Sequence, residues 1–263
     1  MKQHTIQAWL FAAVIIATLM AGTPLRATER DEQVIAAFKQ SYVYKTYLKN
    51  DTINIAVIYD GVVVLTGTVA DETHKTLAGE TMSGLPWVSR VDNQLATSFN
   101  TAVSAGNDDA WIAKKVRLAL LLHRNVTGAS NLSVVVKDGV VTLAGEAPSA
   151  VLIERATVYA KDIEGVKDVR NNMTVAARPG PTELTESETL DDASVTAHVK
   201  MALLIHRSTK SAEPKVSTRN GQVTLTGLAK STDEKNQITE VVSDIQGVTS
   251  VKNLMKIENV TGK

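Results

Sequence analysis

Three stretches decide the fold: YDGVVVLTGTV at 59–69, KDGVVTLAGEA at 137–147 and RNGQVTLTGLA at 219–229. Each places a glycine in a tight turn (Gly61, Gly139, Gly221) and a second glycine six residues on (Gly67, Gly145, Gly227). Asp-Gly or Asn-Gly between two alternating apolar runs is a strong hairpin signal, because the turn needs positive φ. Twenty residues past the second glycine another block recurs: VSRVDN after Trp87, VKDVRN after Gly165 and VTSVKN after Gly247. Upstream of each hairpin runs an amphipathic segment opened by acids: DEQVIAAFKQ, DDAWIAKKVRLALLLHR and DDASVTAHVKMALLIHR. The chain is therefore a threefold repeat with units at 31–98, 108–177 and 191–260. A link at 178–190, with two prolines and three glutamates, has the composition of an exposed connector.

Each unit reads helix, strand, turn, strand, helix, strand. Ile112, Val116 and Leu120 follow the helical period. The second helix starts near Asp71, Ser149 or Ser231, and Ser231 with Glu234 matches a capping box. A right-handed crossover then sets the last strand parallel to the one before it. The expected fold is α+β: three small α-β-β-α-β modules, each a three-stranded mixed sheet with two helices on one face.

These paired glycines around a V-x-L core, followed by G-V-x-x-V-x-N, resemble the BON family, the bacterial osmotically inducible and nodulation domain. The likeness covers all three units. Unit 1 departs from it at Trp87, which stands where the others have Gly165 and Gly247, and in crowding Phe38, Tyr42, Tyr44 and Tyr47 into its first helix. The resemblance implies an envelope protein that supports the cell under osmotic or related stress by peripheral contact with phospholipid.

Strand alternation separates the faces of each hairpin. The inward sets are expected at Ala56, Ile58, Val63, Leu65; Val134, Val136, Val141, Leu143; and Val216, Thr218, Val223, Leu225. On the opposite face unit 3 is polar, whereas unit 1 shows Ile55, Val57, Val62 and Val64. A solvated sheet face is normally polar. This apolar face is a candidate interaction site, covered by a neighbouring unit or by another envelope protein; the latter gives a chaperone-like or scaffolding alternative.

The remaining signal is basic. Lys114, Lys115, Arg117 and Arg124 lie on or beside the first helix of unit 2, and Lys200, Arg207 and Lys210 hold similar places in unit 3. Each cation near an anionic membrane contributes about 1 kcal/mol. On the residues alone a solvated helix face, with its apolar stripe on its own sheet, is the preferred reading. It is the BON resemblance that implies anionic phospholipid as the partner. His123 and His206 end the two helices, where the helix dipole favours a cation. No HxxxH or HExxH pattern offers a metal site, and no G-x-S-x-G elbow or Ser–His–Asp set offers a nucleophile. Acid pairs such as Asp108/Asp109 and Asp191/Asp192 open helices and read as caps. The turn glycines, Gly165 and Gly247 included, lack a phosphate-binding spacing. The reading is a non-enzymatic protein without cofactor, metal or small-molecule substrate.

Compartment follows from the first residues. Lys2, an apolar run from Ala8 to Ala21, then Gly22, Pro24 and Ala27 give the order of a signal peptide over 1–27. The run falls short of the roughly 20 residues a spanning helix needs, so export to the periplasm is preferred over a retained anchor. Cleavage after Ala27 or near Ala21 fits equally. Cysteine is absent, which removes disulfides and thiolate chemistry. The 28 basic and 28 acidic residues cancel, which argues against nucleic acid. The balance hides an asymmetry: unit 1 carries 5 basic and 8 acidic residues, unit 3 carries 9 and 8.

Overall fold

A computed structural model of the chain describes residues 29–98, 109–123, 130–176, 190–209, 212 and 214–258. The export segment at 1–27, most of the 178–190 link, Arg124 and Lys210 lie outside the described residues.

Unit 1 comprises α1 (Glu29–Gln40), a π-helical turn (Tyr44–Leu48), β1 (Thr52–Val57), β2 (Val62–Val69), α2 (Glu72–Ser83), β3 (Arg90–Asn93) and β4 (Ala96–Thr97). Unit 2 follows with α3 (Asp109–Leu122), β5 (Ser130–Lys137), β6 (Val140–Ala147), α4 (Ala150–Lys161), β7 (Asp168–Asn171) and β8 (Thr174–Val175). Unit 3 holds α5 (Asp192–Ile205), β9 (Lys215–Arg219), β10 (Gln222–Thr226), β11 (Leu228–Ala229), α6 (Thr232–Ser243), β12 (Ser250–Asn253) and β13 (Lys256–Ile257). Each hairpin is antiparallel, and the closing strand pairs in parallel with the hairpin's second strand. The α+β architecture read from the repeat is the architecture found. The second helices start where the sequence places them: Asp71, Ser149 and Ser231 cap them, accepting from the backbone N–H of His74, Leu152 and Glu234.

The closing strand breaks once in every unit, and the V-x-N block explains how. In unit 2 the Asn171 amide donates to the Ile153 carbonyl at 2.7 Å and to Thr157 Oγ1 at 2.8 Å, while its Oδ1 accepts from Met173 N. Asn253 repeats the arrangement with Lys235, Thr239 and Met255. The asparagine thus ties the break to the second helix, and the next residue but one (Leu95, Met173, Met255) plugs the core.

Sheet faces follow expectation in units 2 and 3, where two-residue turns set the pairs Val136↔Val141 and Thr218↔Val223. Unit 1 differs. Its turn takes three residues, Tyr59–Gly61, so Val57 pairs with Val63, Ile55 with Leu65, and Ala56 with Val64. One extra turn residue flips every side chain of β1 to the other face. Ile55 and Val57 therefore pack against the core, Ala56 is exposed, and only Val62 and Val64 of the four expected residues stay on the back, both half-buried.

The units do not pack in chain order. Unit 3 sits between the other two, and α5 is the shared element, with residues 193–199, 201–203 and 205 buried. Unit 1 lays α2 along α5: a Cβ added at Gly84 would lie 3.1 Å from Ala193 Cα, and Lys200 pairs with Glu80 at 2.5 Å. The Tyr42 and Val43 N–H groups donate to Asp191 Oδ2 and Ser194 Oγ. Units 2 and 3 meet about a local twofold axis. His123 bridges to Ile245 and His206 to Ile163, so each unit inserts the end of its first helix beside the turn after the other's second helix.

Candidate functional site

The outer stripe of α3 is the candidate surface. Ile112, Val116, Ala119 and Leu120 face inward, which leaves Ala110, Lys114, Arg117 and Leu121 in an exposed row at helical spacing. Lys114 reaches Asp71 of unit 1 at 3.4 Å, an exposed pair of small energetic weight. Beside the row, the Lys115 ammonium lies 5.5 Å from the centroid of the half-buried Trp111 ring. Arg117 and Leu121, 40% exposed, complete a patch of cations, an indole and an aliphatic side chain.

The equivalent row of α5 is Ala193, Ala197, Lys200 and Leu204, and α2 covers its first half. Ala193 and Ala197 are buried, and only Leu204 is well exposed. Arg207 donates to the Lys161 carbonyl at 2.6 Å. The structure therefore does not assemble Lys200 and Arg207 into an open basic face like that of α3. Ser194 and Ala197, against Trp111 and Lys114 in unit 2, were the available signal, since close helix approach needs small side chains.

Two features were not anticipated. The first is that His123 and His206 are fully buried and meet across the local axis, Nε2 to Nε2 at 3.1 Å. The His123 ring stacks on Tyr159 with centroids 3.7 Å apart. His206 Nδ1 bonds Asp162 Oδ2 at 3.1 Å. Burial first, and the facing His206 ring second, push His123 down to about 3. Burial alone would raise Asp162, but hydrogen bonds from His206 and Ser208 hold it below the usual carboxylate range. A helix-dipole role for a charged His123 is thereby replaced by a neutral ring in a joint. Tyr159 and Arg155 both bond the Asp244 carboxylate across that joint.

The second is the acid at each helix start. Asp191 caps α5, as expected, but Asp109 and Asp192 accept from both N–H groups of a hairpin tip, at 138/139 and 220/221. They latch hairpin to helix. The aromatic crowd of unit 1 also has a place: the Tyr42 and Tyr47 rings stand nearly perpendicular to His198, with centroids 5.9 and 5.8 Å away. Trp87 takes the left-handed φ of 64° that Gly165 and Gly247 take at 94° and 87°.

Comparison with known proteins now has its geometry. The BON domain model matches residues 30–98, 108–177 and 191–259. The chain belongs to the BON domain family. A BON relative, osmotically-inducible protein Y of Escherichia coli, is 33% identical over 150 residues, 57% of this chain and 72% of that protein. The outer membrane lipoprotein DolP of Haemophilus influenzae is 28% identical over 149 residues, covering 57% and 74%. A 21 kDa hemolysin of Actinobacillus pleuropneumoniae is 29% identical over 150 residues, covering 56% and 74%. Each alignment runs over the length of about two of the three units. Among the described residues no helix is long and apolar enough to cross a membrane.

Proposed function

We propose that this protein is a non-enzymatic envelope-stress protein, exported to the periplasm, that binds anionic phospholipid surfaces peripherally through the outer stripe of α3. The observation that carries the reading is the contrast between two equivalent helices. The first half of the row on α5 is covered by unit 1, while that on α3 presents Arg117 and Leu121 beside the Lys115–Trp111 pair. Cations attract an anionic headgroup layer, and an indole suits its polar–apolar boundary. The relatives' names support the setting, one being osmotically inducible and another an outer membrane lipoprotein. Vesicle flotation tests it. The mature chain should float with vesicles rich in phosphatidylglycerol at low salt and not with phosphatidylcholine alone; no flotation with either would end the lipid reading. The scaffolding alternative keeps less support, because Ile55 and Val57 of its proposed face line the core.

A further inference from the structure

Both joints of the molecule contain histidines in places where a proton is costly. At the joint of units 1 and 3, His198 is fully buried and neither ring nitrogen has a hydrogen-bond partner among the described residues. Tyr42 and Tyr47 stand nearly perpendicular to it, and burial holds the Tyr47 hydroxyl in its uncharged form. The carboxylate that acts on it, Asp191, is already engaged by the N–H groups of Tyr42 and Ser194 and by Ser194 Oγ. At the joint of units 2 and 3, His206 Nδ1 lies 3.1 Å from Asp162 Oδ2 and its Nε2 lies 3.1 Å from His123 Nε2. His123 Nδ1 is buried beside the Asp244 backbone, with no side-chain partner among the described residues. A proton on His123 is opposed by burial first, then by the facing His206 ring and by Arg155, and only the Asp244 backbone favours it. The Asp244 carboxylate is already bonded to Tyr159.

We propose that the two joints are acid-sensitive latches, and that mild acidification releases units 1 and 2 from α5 of unit 3. The sign follows from linkage. Burial pushes His198 down to about 4 and His123 to about 3, whereas an exposed histidine in the opened chain takes its proton near 6.5. The closed joints are at full strength above 6.5 and weaken as the pH falls from there towards 4. At pH 5 each such histidine shifts the opening equilibrium about 30-fold. Opening uncovers α5, and the individual units stay folded, because neither ring belongs to the core of a hairpin sheet.

Hydrogen exchange of the full chain, corrected for the intrinsic pH dependence of exchange, reads this directly. Amides of α2 and α5 should lose at least tenfold protection between pH 7.5 and pH 5, with β2, β6 and β10 unchanged. A His123→Phe, His198→Leu double variant should keep α2 and α5 protection within threefold over the same range. Protection that is independent of pH in the natural chain, or an equal acid loss in the double variant, overturns the proposal. Imidazole NMR on the natural chain is the second readout. His123 and His198 titrating near 6.5 in the closed molecule would also overturn it, whatever the variant's stability.

Discussion

At the residue scale, Trp87 and Asn171 make opposite predictions. Trp87 holds a φ of 64° with its side chain 59% exposed. Left-handed backbone costs a non-glycine residue about 1 kcal/mol or more, and a mostly exposed residue recovers little of that by packing. Trp87→Gly should therefore leave stability unchanged or raise it by up to about 1 kcal/mol in urea melts, the entropy of glycine reducing the gain. A clear loss would show that the indole packs. Asn171→Ala should instead cost about 1–3 kcal/mol, since it strands the Met173 N–H and frees the strand break from α4. Trp87 was legible because the repeat aligned it with two glycines. His123 and His206 were legible as equivalents but not as partners, since periodicity within a unit says nothing about the surface of another.

Turn length and helix covering decide matters at the element scale. Asp-Gly at 60–61 looks identical to Asp-Gly at 138–139, yet Tyr59 joins the first turn and reverses the face of β1. A dipeptide signal carries the existence of a hairpin and not its register. The same limit applies to α3 and α5, which share an apolar stripe and differ on the outer side at Trp111/Ser194, Lys114/Ala197 and Lys115/His198, where α5 carries the smaller or buried residue. Ala193 is the position where that approach is tightest. Ala193→Leu should overpack it and cost about 1–3 kcal/mol of inter-unit stability. Exchange should then rise in α2 and α5 while the hairpins keep their protection; uniform protection would place the α2 contact elsewhere.

For the whole molecule, the order of units in space is 1–3–2, and no sequence pattern dictated it. Three repeats that share one core pattern differ in their outer faces, and those faces choose neighbours. The absence of cysteine makes the order directly testable. Thiols introduced as Glu80→Cys with Lys200→Cys should be joined by a short bismaleimide within one chain, replacing the present ion pair. Failure to link, with both thiols reactive, would contradict the packing. The arrangement also separates a working helix from a buried one, and flotation on phosphatidylglycerol vesicles at pH 7.5 distinguishes them. Lys115→Glu with Arg117→Glu should reduce vesicle binding at least tenfold, as reversal of two interfacial cations demands, while Lys200→Glu with Arg207→Glu should leave it within about threefold. Equal binding by the natural chain and the Lys115/Arg117 variant, or loss confined to the Lys200/Arg207 variant, would contradict the assignment of α3 as the membrane-facing helix.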